Sequence, residues 1–363
     1  MRRGLVVIAS LFALAGLALA RPAGFRDAST PWRFTFPRDH AAHPDFQTEW
    51  WYYTGHLAAG ERRYGYELTF FRVGVSREPR ASAWALRDLL FAHVALTDEN
   101  GKRFSFADTL ARPVLGRAGA DSARYHVWID DWSAGLDSTG AHHVLRADGG
   151  RFALDLVLDP GKPPVIHGEQ GISRKDADPA RSSHYVSLTR MPTRGRIREG
   201  DTWRAVTGTS WMDHEFMTTP PEAIAQGWDW LALQMDDGRE VMFYRLRLKD
   251  GTTDPWSSGT WVEPDGKSRH LTLDQVRFAS TGSWTSPASR ARYPAGWRLA
   301  IPSESFEVTI APTVADQELR THGPAAVTYW EGSVLVRGTR AGHPVTGHGY
   351  VELTGYANGI PGR

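Results

Sequence analysis

The chain of 363 residues contains no cysteine. That excludes disulfides, thiolate catalysis and cysteine-ligated metal, and it excludes a lipid anchor on a cysteine behind an export signal. Several catalytic fingerprints are missing as well: there is no Gly-x-Ser-x-Gly elbow, no His-Glu-x-x-His, no Walker loop and no Gly-x-Gly-x-x-Gly. Neither sign of charge is in excess, with 42 basic and 41 acidic residues and no basic tail, so nucleic acid is not an expected partner. Past residue 20 no stretch approaches the roughly 18 apolar residues of a membrane span. Helical periodicity is scarce, and the plausible helical patches are short, near "SAWALRDLL" and "PPEAIAQ".

What is present begins with "MRRGLVVIASLFALAGLALA", where Arg2 and Arg3 precede an apolar run and an Ala-Leu-Ala that ends at Ala20. This pattern reads as a secretory signal peptide cleaved near Ala20. The mature protein is expected to be soluble, not transmembrane, and periplasmic or secreted. Its 41% hydrophobic content suffices for real cores. Fifteen tryptophans are the compositional outlier. Each indole must bury a large apolar body and satisfy an N–H, which suits core packing or an aromatic-walled pocket.

Short alternating runs broken by Asp-Gly and Asn-Gly turns dominate, so the expected class is all-β, as barrels or sandwiches. Hairpins are expected from Glu49 to Val73 around "AAGERR", across the turn "ADGG", and from "WLALQM" through "DDG" into "REVMFYRLRL". The Thr-, Pro- and Gly-rich stretch "TTPPEAIAQG" divides the chain, giving a leader over 1–20, one domain over 21–220 and another over 221–363. Each half opens on a Trp-rich strand, "TEWWYYTGHL" and "GWDWLALQM", which suggests two similar barrels.

The run "EWWYY" places Glu49, Trp51 and Tyr53 on one strand face, with Trp50, Tyr52 and His56 on the other, so both faces need cover. A carboxylate among aromatics must find a partner or a proton. Glu49 is thus either anchored to backbone N–H groups or an arginine, with Arg190, Arg194, Arg196 and Arg198 as candidates, or it is a functional acid. Its face, with Trp51 and Tyr53, is expected to line a cavity, while Trp50 and Tyr52 pack. In "GTSWMDHEF", Trp211, Asp213 and Glu215 share one face, and Met212, His214 and Phe216 share the other. Two carboxylates at this spacing on a buried face raise one pKa and make an acid–base pair. His93 in "FAHVALTD" is either a hydrogen-bonded core residue or a catalytic one. "YWEG" sets Glu331 beside Tyr329 and Trp330 and reads as structural. His40 with His43, and His142 with His143, are weak metal spacings, and neither a metal nor another cofactor is expected.

Together "EWWYYTGHL", "FAHVALTD", "HYVSLTR", "GTSWMDHEF", "GWDWLALQMDDGREVMFYRLR", "GTWVEPDG", "DQEL", "YWEGSVLVRG" and "GYVELTGY" resemble the secreted AttH-like proteins related to carotenoid 1,2-hydratase, or hydroxyneurosporene synthase. The resemblance runs from about Phe36 to Tyr356. It implies two lipocalin-like antiparallel β-barrel domains and a hydrophobic small-molecule ligand, isoprenoid- or lipid-like. The hydratase branch adds water to a C=C bond without a cofactor, and many secreted members carry the label of predicted hydrolase. For hydration, Asp213 or Glu215 is the candidate acid and Glu49 a further one. The faces of Trp50, Trp51, Trp211 and Trp228 would steady a cation, Tyr53, Tyr185 and Trp230 would join the ligand wall, and His214 or His93 would orient water. A non-catalytic carrier of a hydrophobic ligand competes with this reading, and so does an inter-domain contact in which "WMDHEF" and "EWWYY" are structural glue.

Overall fold

Alternation of side chains along extended runs produces two large antiparallel sheets. In the computed structural model, residues 24–78, 82, 84–219, 225–323 and 326–357 are described. The expected leader over 1–20 and the division between residues 220 and 221 lie outside them.

The first sheet has thirteen strands among the described residues. Its path runs from Arg103–Ala111 through Asp88–Asp98, Arg62–Gly74 and Thr48–Ala59 to Thr202–Met217 and Ser182–Glu199. It continues through Phe152–Leu158, His143–Asp148, Trp132–Leu136 and His126–Ile129 to Ala118–Ala120. Its far ends approach where Arg103–Ala111 meets His126–Ile129, so the sheet is a nearly closed barrel. The second sheet has ten strands, centred on Glu240–Leu248, Ala225–Met235, His343–Leu353 and Thr328–Arg340, and it curls around a core of its own. The fold is all-β, with two lipocalin-like barrels.

The expected hairpins form. Thr48–Ala59 turns through Gly60, at φ 62°, into Arg62–Gly74, and Ala225–Met235 turns through Gly238, at φ 87°, into Glu240–Leu248. The patch "SAWALRDLL" is not a helix over its second part, because Asp88 onward is strand. There Leu90, Ala92, Val94 and Leu96 alternate into the first core, a period of two that outweighs the helix propensity of Ala and Leu.

Trp51, Tyr53, Tyr64, Tyr66, Leu68 and Phe70 fill the first barrel from the inside. On the opposite face of the same strands, Tyr52, Tyr185 and Trp211 pack against Trp230, Ala232, Met242, Tyr244, Leu246 and Tyr350 of the second barrel. Strands whose two faces are both covered have no solvent side, which explains why both faces of "EWWYY" are aromatic. Buried polar groups gather in two places, at one end of the first barrel's interior and along the seam between barrels.

Candidate active site

Thr48–Ala59 pairs with Thr202–Met217, setting Trp50 opposite Glu215, Trp51 opposite His214 and Tyr52 opposite Asp213. The two conspicuous motifs are therefore neighbours in one sheet. Their alternation sends Glu49, Trp51, Tyr53 and His214 to the first barrel's interior, and Trp50, Tyr52, Trp211, Asp213 and Glu215 to the seam.

Glu49 is completely buried at the end of the first barrel, beneath residues 39–46. Its carboxylate accepts from the backbone N–H of His43 at 2.9 Å, from Arg72 Nε at 3.0 Å and from His43 Nδ1 at 2.9 Å, and His214 Nε2 lies 2.8 Å away. Burial alone would raise its pKa, but the Arg72 guanidinium and the histidine hydrogen bonds hold it well below the usual carboxylate range. The arginine is thus Arg72, which the sequence reading did not consider. Arg194, Arg196 and Arg198 pair with Asp159, Asp155 and Asp148 on the surface, while Arg190 reaches Glu240 of the second barrel. The positions of Glu49, Trp51 and Tyr53 differ from the expected cavity wall, since Trp51 and Tyr53 are core filling and Tyr53 Oη is bonded to Tyr125 and His143.

His43, Glu49 and His214 do bring three potential metal-ligand atoms within 4.8 Å of one another. Burial would lower the pKa of His43, but its hydrogen bonds to Asp39 and Glu49 raise it, and its Nε2 lies 3.3 Å from Asp39 Oδ1 and 3.1 Å from an Arg38 nitrogen. Arg72 shares the same Glu49 carboxylate, so the trio is also the centre of a hydrogen-bond hub.

Asp213 lies in a different environment. It accepts from Tyr185 Oη, from Ser187 Oγ and from Trp211 Nε1, the last at 2.6 Å, and no ion pair reaches it among the described residues. Burial, opposed by those three hydrogen bonds, pushes its carboxyl up to about 7. Ser187 Oγ is also 2.6 Å from His167 Nε2, and His167 Nδ1 is 2.7 Å from Thr260 Oγ1 of the second barrel. Trp230 Nε1 donates to Tyr185 Oη at 3.1 Å. Both barrels thus position this acid. Glu215 is occupied by Lys175 at 3.2 Å and by Ser183 Oγ. His93 Nδ1 lies 2.8 Å from Tyr329 Oη across the seam, and burial lowers its pKa to about 4.

The seam holds further acids. Tyr52 Oη donates to Glu331 Oε1 at 2.7 Å, Thr69 Oγ1 donates to Glu67, and Trp228 Nε1 donates to Glu352 at 2.7 Å. Glu67 was not singled out from sequence, and Glu331 was read as structural; their signal was the same as that of Glu49, a carboxylate at an aromatic-rich strand position. Trp50 and Trp228 are half-buried and pack against the seam's aromatic cluster. A hollow of about 390 Å³ on the first barrel, lined by Asp98, Arg103, Phe152 and Glu199 among others, contains none of these residues.

Two antiparallel barrels pressed together through a seam of aromatics and buried acids define a tandem lipocalin-like protein. The chain belongs to the AttH-like family, whose model matches residues 27–356. It is similar to a structure described as an AttH protein of Nitrosomonas europaea, with 34% identity and a TM-score of 0.81 over 90% of this chain and 98% of that one. It is also similar in fold to kievitone hydratase from Nectria haematococca, with 15% identity and a TM-score of 0.69 over 92% and 97% of the two chains. For CghA the identity is 14% and the TM-score 0.58 over 93% and 97%. No curated protein sequence matches the chain.

Proposed function

We propose that this protein is an exported, cofactor-free hydratase that adds water to a C=C bond of an apolar, isoprenoid- or lipid-like small molecule, with Asp213 as the acid. The observation that carries this reading is a buried carboxyl near pKa 7 surrounded by indole and phenol rings. Protonating an alkene needs an acid held away from water but carrying its proton at neutral pH. The new C–H bond takes the Asp213 proton and leaves a tertiary cation beside the rings of Tyr52, Trp211 and Trp230. Three fixed donors, Tyr185, Ser187 and Trp211, meanwhile receive the charge left on Asp213. Water then forms the C–O bond, and its proton returns to Asp213. Glu215, His93 and His214 have supporting roles: Glu215 fixes Lys175, His93 orients Tyr329, and His214 braces Glu49.

Entry would require Trp50 and Trp228 to swing aside. A ligand carried in the first lumen is a weaker reading, because side chains fill that space. The fold shared with kievitone hydratase supports the class of reaction by analogy only. Export rests on the leader-like residues 1–20.

The test is incubation in ¹⁸O-labelled water with a panel of isopropylidene-terminated apolar alkenes. A tertiary alcohol carrying the label, lost in Asp213→Asn, is the expected result. A product formed equally well by Asp213→Asn would contradict the assignment.

A further inference from the structure

The hydration reading leaves a second group of seam acids unused. Glu67 and Glu331 come from different barrels, and both are buried, at 0% and 1% exposure. One oxygen of each is bonded, to Thr69 and to Tyr52. The other, Oε2 in both, is buried with no hydrogen-bond partner among the described residues. Glu352 stands directly opposite Glu331 in the strand pair.

Aromatic groups from both barrels enclose these acids. Tyr52 reaches over from the first barrel to Glu331, and His93 fixes the phenol of Tyr329. Tyr52 stands opposite Thr69 in the strand pair, Thr69 bonds Glu67, and the Tyr52 phenol bonds Glu331, so this one ring links the two acids, with Tyr329 two residues from Glu331 on its strand. The nearby seam ammonium is committed elsewhere, since Lys175 lies 3.2 Å from Glu215 and 3.8 Å over the ring of Tyr244. The Glu67 and Glu331 carboxyls, each with an orphaned oxygen and no ion pair among the described residues, and the rings around them have the chemistry that recognises an organic cation: the acids supply charge and the rings supply their quadrupoles.

We infer that Glu67 and Glu331 form a binding site for an organic cation, an ammonium nitrogen carrying apolar substituents. This deepens the hydration reading, because a tertiary carbocation has the same charge and shape, but cation binding is measurable without turnover. Burial first, and then the neighbouring Glu352, pushes both carboxyls well above the ordinary carboxylate pKa. A cation that settles there favours the ionised form, so binding expels a proton.

The probes are N,N-dimethyloctylamine, as its ammonium, and the uncharged dimethyloctylcarbinol of the same shape, both below their micelle concentrations. Calorimetry at neutral pH in buffers of different ionisation enthalpy counts the protons released. The ammonium should bind the intact protein at least about tenfold more tightly than the carbinol and release close to one proton, a preference that falls within about threefold in Glu67→Gln and Glu331→Gln. Equal affinities, binding without proton release, or a preference that survives both substitutions would overturn the inference. The wild-type proton count decides the matter even where a variant fails to fold. A protein that hydrates alkenes without preferring the ammonium overturns this inference alone; one that prefers the ammonium but hydrates nothing overturns only the hydration reading.

Discussion

Glu49 and Asp213 sit on neighbouring strands, three residues of register apart, and both are buried. Glu49 meets a guanidinium, a backbone N–H and two imidazoles, and it is held ionised. Asp213 meets only neutral donors and is held near pKa 7. The difference shows that burial alone does not make a carboxylate chemical. A cationic partner turns a buried acid into a structural bolt, whereas neutral donors leave it able to exchange a proton at neutral pH.

The comparison breaks most visibly at Glu49. Replacing it by Gln leaves the buried Arg72 with only the partly exposed Asp88, 3.1 Å away, as a counter-charge, and denaturant unfolding should show a loss of up to about 3–5 kcal/mol. The folded pKa of Glu49 lies below its unfolded value, so this stabilisation is present above the ordinary carboxylate pKa and fades as pH falls through the folded value. The gap between wild type and Glu49→Gln should therefore narrow in acid. Asp213→Asn should reverse the pattern, with turnover on an identified substrate falling about 100- to 10,000-fold while the unfolding midpoint moves far less than in Glu49→Gln. The pH profile sharpens the contrast: the protonated form of Asp213 is the active one, so the rate should be level below pH 7 and drop as pH rises through about 7. Trp230→Phe, which removes one N–H from Tyr185, should cost only about 0.5–1.5 kcal/mol and shift that profile slightly. Smallest of all, Arg196→Ala on the surface should change stability by at most about 1 kcal/mol.

The sequence displayed the fold well because its signals are local. Period-two alternation and Gly turns mark the hairpins, and the aromatic character of both faces of "EWWYY" announced a strand covered on both sides. Parity also separated His214 from Asp213 and Glu215 correctly as a matter of geometry. What could not be read was which covered face held the unpaired acids, because that depends on partners distant in sequence. Arg72 is 23 residues from Glu49, and Tyr52 is 279 residues from Glu331. The carboxylate that drew most notice in the first motif is thus the one with the most complete set of partners, and Glu331, read as structural, belongs to the seam. His167 and Ser187 carry no motif at all; only the pairing of Ser182–Glu199 with Thr202–Met217 brings Ser187 opposite Asp213.

The most direct test of the account is a titration of the carboxyl groups themselves, by carbon NMR of protein labelled at Asp and Glu side-chain carboxyls, with Asp213→Asn and Glu49→Gln used to assign the two signals. The account predicts that Asp213 titrates near 7 while Glu49 stays ionised well below the usual carboxylate range. Two ordinary carboxylates, both titrating near 4, would contradict it.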